Sequence, residues 1–143
     1  MTTLNSRFQK SIILLNRIIA SEIMKQMNSQ ITGTQMFMLY YIRESNRCRI
    51  TELAEKMDVK PSAVTVMIDR LVKSNYVRRV DDTVDRRVIW VEVTVSGHEI
   101  LKKAQIIRED IVGTYMSKLS DDEGRIATEI LEKMVVIAQQ SSS

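Results

Sequence analysis

The chain has 143 residues, of which 44% are hydrophobic and 27% charged, with 4 Gly and 1 Pro. A chain of this length and hydrophobic content buries a core without help from metals or disulfides, and so few backbone breakers exclude collagen-like and low-complexity classes and favour long helices. One Cys (Cys48) and one His (His98) exclude an intrachain disulfide and the usual Cys/His zinc sites, and residues 1–90 are basic, with 15 Lys and Arg against 9 Asp and Glu, while residues 91–143 are acidic, with 6 against 9.

Apolar positions at Leu4, Phe8, Ile12, Leu15, Ile19 and Ile23 recur every three or four residues and predict a long amphipathic helix. The apolar run Ile12 to Leu15 is cut by Asn16 and Arg17, far short of a membrane span. The opening MTTLNSRFQKS lacks the basic-then-apolar order of a signal peptide, so a cytoplasmic protein is expected. Ile31 to Thr34 breaks the periodicity, with Gly33 supplying backbone freedom and Thr34 a cap for a second helix through Met36, Phe37, Leu39, Tyr40 and Ile42. Ser45 to Arg49 reads as a polar loop. Thr51 is a cap for a short helix from Glu52 to Met57.

Pro61 suits the first turn of the next helix, which runs to about Ser74 with Val64, Ile68 and Leu71 on one face. Two helices joined by the short turn Asp58 to Lys60 form a helix-turn-helix. Tyr76 to Val80 and Val88 to Thr94 then read as strands, separated by the polar loop Asp81 to Arg87. A charged hairpin directly after a helix-turn-helix makes a winged helix. Helical periodicity returns through Ile100, Leu101, Ala104, Ile107, Ile111, Val112 and Tyr115, with Thr94 or a Ser96–Glu99 capping box at its start. Ser120 to Glu123 forms another box ahead of a last helix carrying Ile126, Ile130, Met134 and Ile137, and the tail Ser141 to Ser143 is expected to fray.

The expected fold class is therefore mainly α with a small β-hairpin: a winged helix-turn-helix (residues 34–94) flanked by helical parts (residues 1–30 and 95–140) within one chain spanning 1–143. The flanking helices carry apolar stripes at opposite ends of the chain. Interleaving them with a second copy across a two-fold axis covers them, and a homodimer is expected; closing one monomeric core is the alternative. The basic first part suits either a polyanion surface or ordinary solvation.

From Ile50 to Leu101 the chain resembles the MarR (multiple antibiotic resistance) regulators. The residues that carry the resemblance are Thr51, Leu53, Ala54, Ser62, Val64, Thr65, Asp69, Arg70, Leu71, Val77 and Arg79, then Asp85-Arg86-Arg87 and Thr94 with Gly97. The helix order around this core extends the likeness over nearly the whole chain. The resemblance implies a homodimeric repressor, bound to a pseudo-palindromic operator in double-stranded DNA and released by a small phenolic or other effector. It implies that Arg87 enters the minor groove and that Asp85 orients it. Two positions depart from the family pattern: Val66 stands where Arg is common in the recognition helix, and Asn75 where Gly is common after it. Asn tolerates the left-handed conformation, so the helix end is expected to survive.

Physical chemistry names the same surfaces. A helix fits the major groove and brings its first turns to base edges, where Ser62, Ala63, Thr65 and Val66 point outward; Ser and Thr hydrogen-bond bases or phosphates, and Ala and Val pack on thymine methyls. Lys60, Arg70 and Lys73 suit phosphates, as does Arg86 in the wing, although Arg70 has the alternative of pairing with an acid. A narrow minor groove concentrates negative potential and attracts Arg87. Cys48 between Arg47 and Arg49 is either a low-pKa redox thiol or an incidental one, and the oxidation-sensing Cys of the family sits in a first helix that has none here. The nine Met, with Tyr40, Tyr41 and Trp90, line an adaptable pocket or fill the core. The sequence carries no phosphate loop or nucleophile turn, so neither an enzyme nor a cofactor is expected; the rival reading is a winged helix used for protein–protein contact without specific DNA binding.

Overall fold

In the computed structural model, which describes residues 1–28 and 31–142, the chain forms α1 (Leu4–Gln26), α2 (Gly33–Glu44), β1 (Arg47–Cys48), α3 (Ile50–Met57), α4 (Pro61–Lys73), β2 (Val77–Asp81), β3 (Ile89–Val93), α5 (Val95–Met116) and α6 (Asp121–Ser141). Residues 29 and 30 of the expected N-terminal helical part, and Ser143 of the expected frayed tail, lie outside the described residues. The mainly helical class with a small antiparallel sheet and a winged helix-turn-helix is as the sequence predicts.

Side-chain caps set several helix starts, and some differ from the expected ones. α2 is capped by Thr32, not Thr34: the Thr32 hydroxyl accepts from the Gln35 N–H and the Gln35 side chain accepts from the Thr32 N–H, so the reciprocal box forms three residues apart. Gly33 is consequently the first residue of the helix rather than a flexible break. α3 begins at Ile50 after Arg49, whose side chain pairs with Glu52 and makes no capping bond, which places Thr51 inside the first turn. At α5 the Thr94 hydroxyl accepts from the Gly97 N–H at 3.1 Å. Because the helix has already begun at Val95, the box expected at Ser96 does not form there. The Ser120–Glu123 box forms as predicted, and its backbone and hydroxyl partners hold the Glu123 carboxyl below its ordinary range. The tail stays helical through Ser141, whose hydroxyl donates to the Ile137 carbonyl.

Sharp corners fall to Asn and Asp. Asn28, Asn46, Asp58 and Asn75 have positive φ, and no described glycine does. Their short polar side chains tolerate the left-handed region, which explains how a chain with four glycines makes so many tight corners. Asn75, as expected, ends the α4 corner this way at φ 62°.

The sheet has order β1-β3-β2 and is antiparallel throughout. β1 is an addition to the expected hairpin: Arg47 and Cys48, predicted as loop, pair with Glu92 and Val91. Across the hairpin Val77 faces Val93, Arg79 faces Val91 and Val80 faces Trp90. Tyr76 and Val88 lie just outside the strands and Asp81 just inside.

The chain divides into two compact units, Met1–Arg108 and Glu109–Ser143. The core of the first is built from Met38, Leu39 and Ile42 of α2, Leu53 of α3, Val64, Ile68 and Leu71 of α4, and Val77, Val91 and Cys48 of the sheet, all buried. Each such apolar side chain stabilises the fold by about 1.5–3 kcal/mol on full burial. α1 buries only Ile23, in its last turn. Leu4, Phe8, Ile12, Leu15 and Ile18 are exposed along α1. In the second unit, α6 exposes Ile126, Ile130, Met134 and Ile137, and Gly124 is buried with Met116 close enough that a Cβ would meet its Cε at 3.2 Å. No helix among the described residues is long and apolar enough to cross a membrane.

Candidate nucleic-acid interface

The turn Asp58–Lys60 and Pro61 at the first position start α4, whose Val64, Ile68 and Leu71 are buried. Successive residues advance about 100° around a helix, so this inward face sends the remaining positions outward. Ser62, Ala63, Val66, Arg70 and Lys73 are exposed together, and Lys60 is exposed at the cap. Thr65 is half-buried and its hydroxyl donates to the Pro61 carbonyl at 3.0 Å. Its proton is therefore used within the helix, and only its oxygen lone pair is left for a ligand donor. Asp69 is engaged by Arg79 of β2 rather than by Arg70. Among the described residues, Lys60, Arg70, Lys73 and Arg86 are in no ion pair. The outward face of α4 thus presents short side chains at its start and uncommitted cations at its two ends.

Two connections fix α4 against the hairpin. The Asp69–Arg79 ion pair ties its exposed side to β2. Behind it, the Thr94 hydroxyl donates to the Asn75 carbonyl at 2.5 Å, and the Thr94 N–H bonds the Tyr76 carbonyl at 3.0 Å. Gly97 then lets the start of α5 approach: a Cβ there would lie 2.1 Å from the Tyr76 oxygen and 2.6 Å from Val93 Cγ1. The Thr94 and Gly97 pattern is thus a packing device that seats the hairpin.

The wing between β2 and β3 is organised by two carboxylates. The loop closes with Asp82 N–H donating to the Val88 carbonyl at 3.0 Å and Val88 N–H to the Asp85 carbonyl at 3.1 Å. One Asp82 oxygen accepts from the Val84 and Asp85 N–H groups; the other accepts from the Trp90 indole at 3.0 Å. Asp85 accepts from its neighbour's backbone and side chain together, from Arg87 N at 2.9 Å, Nε at 3.2 Å and Nη2 at 3.2 Å. The bonds from Asp85's N–H, the indole and Val84's N–H hold the Asp82 carboxyl below its ordinary value, and the Arg87 bonds do the same for Asp85. The Arg87 side chain remains 90% exposed while clamped in this way. The bond expected between the Asp85 carboxylate and the Arg87 guanidinium is present.

Behind the wing, Arg47 of β1 lies over the Trp90 ring at 4.1 Å, with Arg49 at 5.7 Å. Asp82, Arg47 and the Asp69–Arg79 pair are not among the site residues expected from the sequence. The spacing of Asp82 and Asp85, three apart in a turn, is a readable signal for paired backbone caps; the Arg47 contact has no local signal because β1 is distant in the chain.

Of the two readings of Cys48, its burial fits the incidental thiol. Flanking arginines are a reason to expect a lowered thiol pKa, yet the side chain is 0% exposed in the sheet, and burial, with the Glu52 charge second, pushes its pKa up to about 12. Strand alternation explains this: Arg47 and Arg49 point away from the side that buries Cys48.

Within the first unit, α1, α2 and the middle of α5 line an open pocket of about 620 Å³. Its lining includes Met24, Met36, Phe37 and Tyr40, with the cationic side chains Arg43 and Arg108. Arg43 stacks on Tyr40 at 4.9 Å.

Comparison with known proteins gives this geometry a family. The MarR family pattern matches residues 31–89. Over 137 residues the chain is 35% identical to the HTH-type transcriptional repressor MdtR of Bacillus subtilis (strain 168), covering 95% of this chain and 88% of that protein. The YusO protein from Bacillus subtilis superimposes with a TM-score of 0.76 at 35% identity, over 92% of this chain and 94% of that one. A mutant MarR from E. coli, solved in complex with operator DNA, superimposes with a TM-score of 0.63 at 25% identity, over 90% of this chain and 93% of that one. The chain belongs to the MarR family: it is a DNA-binding transcription regulator, not an enzyme.

Proposed function

We propose that this protein is a cytoplasmic homodimeric repressor that grips a pseudo-palindromic operator with one α4 and one wing per half-site, and that a small-molecule effector releases it. The observation that carries this reading is the pairing of α4's exposed face with a wing whose Arg87 is both pre-oriented by Asp85 and exposed. In this reading Ser62, Ala63, Thr65 and Val66 meet base edges in the major groove, with Thr65 acting as an acceptor and the Val66 methyls meeting thymine methyls. Lys60, Arg70, Lys73 and Arg86 meet phosphates, and Arg87 enters the adjacent minor groove. The E. coli relative's structure with operator DNA supports the geometry, and the repressor name of MdtR supports the sign of regulation.

Dimerisation is supported by the apolar stripes left exposed on α1 and α6. Contiguous exposed apolar faces of this kind mark contact with a partner surface. The effector reading rests on the apolar pocket with Arg43 and Arg108 in its wall, which suits an aromatic or other apolar molecule carrying negative charge, phenolates included. An occupant wedged between α1, α2 and α5 changes the spacing of two reading heads, and both half-sites must be engaged together for full affinity. Gel-shift titration against DNA upstream of the protein's own coding sequence tests the reading: a discrete complex that resists excess unrelated duplex is expected. Weak binding with no sequence preference would contradict it.

A further inference from the structure

We propose that Trp90 and Asp82 are positioning residues for the wing: they hold the loop so that Arg87 is presented in one orientation, with Arg47 backing the indole. The inference rests on the DNA-binding reading above and adds residues outside both expected contact sets.

The contacts form a connected path. Arg47, on the paired strand β1, lies over the Trp90 ring at 4.1 Å. Trp90, on the central strand β3 opposite Val80, donates its indole N–H to Asp82. The other Asp82 oxygen gathers the N–H groups of Val84 and Asp85. Asp85 in turn holds Arg87 through its backbone and guanidinium. A hairpin loop closed only at its base pivots about the last backbone pair. Here one side-chain bond links the loop to Trp90 on the central strand, paired with Val80 of β2 and one residue before β1 joins at Val91.

The placement of Trp90 distinguishes this from plain core filling. Its ring is only half-buried, and its edge is aimed at the loop rather than at the apolar core. Arg87 extends 90% exposed from this frame, so nothing on its far side fixes it. Its direction is set from behind, through Asp85 and Asp82. An arginine already oriented loses less rotational freedom on entering a groove.

A double-mutant cycle on the full chain tests this. The probe is a duplex enriched by the wild-type protein from a random pool, and affinity is read by fluorescence anisotropy. Trp90→Phe keeps the ring and removes the donor; it is expected to weaken binding about three- to tenfold in the wild-type background. In an Arg87→Ala background the same change is expected to cost less than about twofold, because the residue it positions is gone. Asp82→Asn, with folding followed by circular dichroism, gives the second arm should Trp90→Phe unfold, and the same dependence on Arg87 is expected. Equal losses in both backgrounds would show a merely structural role and overturn the inference, as would no loss in either. Failure of the wild-type chain to enrich any duplex would instead overturn the DNA-binding reading, and this inference with it.

Discussion

Arg87 and Asp85 show how much a single pair carries. The carboxylate accepts three bonds from one neighbour and leaves the guanidinium in solvent, so the pair costs little to keep and is ready for a polyanion. Arg87→Ala is predicted to weaken operator affinity by about tenfold or more and to lower the salt slope by about one, with the oligomeric state unchanged in sedimentation. The titration behaviour of the wing follows from depressed carboxyls. Asp82 and Asp85 have folded values below the ordinary 3.8. Their contribution to wing order is complete above that value and is lost as pH falls through the folded values. Emission of Trp90, the single tryptophan, is therefore expected to stay constant from about pH 8 to about pH 4 and to change only below, with Arg47 and Asp85 the charged groups facing Asp82. Cys48 behaves in the opposite sense. Its folded thiol holds its proton up to about 12, against an ordinary 9.0, so its contribution to stability is present below 9.0 and lost as pH rises toward 12. Alkylation of the native protein at neutral pH should be slower than that of the unfolded chain by about tenfold or more; equal rates would contradict the burial.

At the scale of elements, legibility tracks periodicity. α1, α4, α5 and α6 each span several turns, and their three-to-four-residue apolar steps are readable. The wing is readable because β-branched runs flank a charged loop. β1 is not, since two residues carry no alternation, and its pairing with β3 is decided by contacts far along the chain. The α2 cap is misplaced, Thr34 being expected where Thr32 caps because Gln35 can return its bond; of the two caps open for α5, Thr94 takes the Gly97 N–H. Exposure of α4's outward face is legible residue by residue, whereas the Asp69–Arg79 tie and the Trp90 contacts are not, because they join elements whose approach only the fold determines. Gly97 gives an element-scale prediction. A methyl there would meet the Tyr76 carbonyl and Val93, so Gly97→Ala must push α5 off the hairpin. A destabilisation of roughly 1–3 kcal/mol is expected in denaturant unfolding. An unchanged midpoint would mean that the corner yields freely.

For the whole molecule, the winged core lies within Met1–Arg108, but α1 and α6 leave apolar faces open. On the proposed dimer, deleting Ser120–Ser143 is predicted to leave a monomeric or insoluble chain that binds operator DNA poorly; a soluble truncation that binds tightly would remove the case for α6 as an assembly element. Two copies related by a two-fold axis read inverted half-sites on one face of the duplex, and that arrangement depends on helical phase. Equilibrium binding to the selected operator, compared with the same operator carrying an insertion of about five base pairs between its half-sites, measures it directly. Half a helical turn puts the second half-site on the opposite face, so affinity should fall by about a hundredfold or more toward that of a single half-site. Equal affinity for both duplexes would contradict the paired grip of α4 and wing.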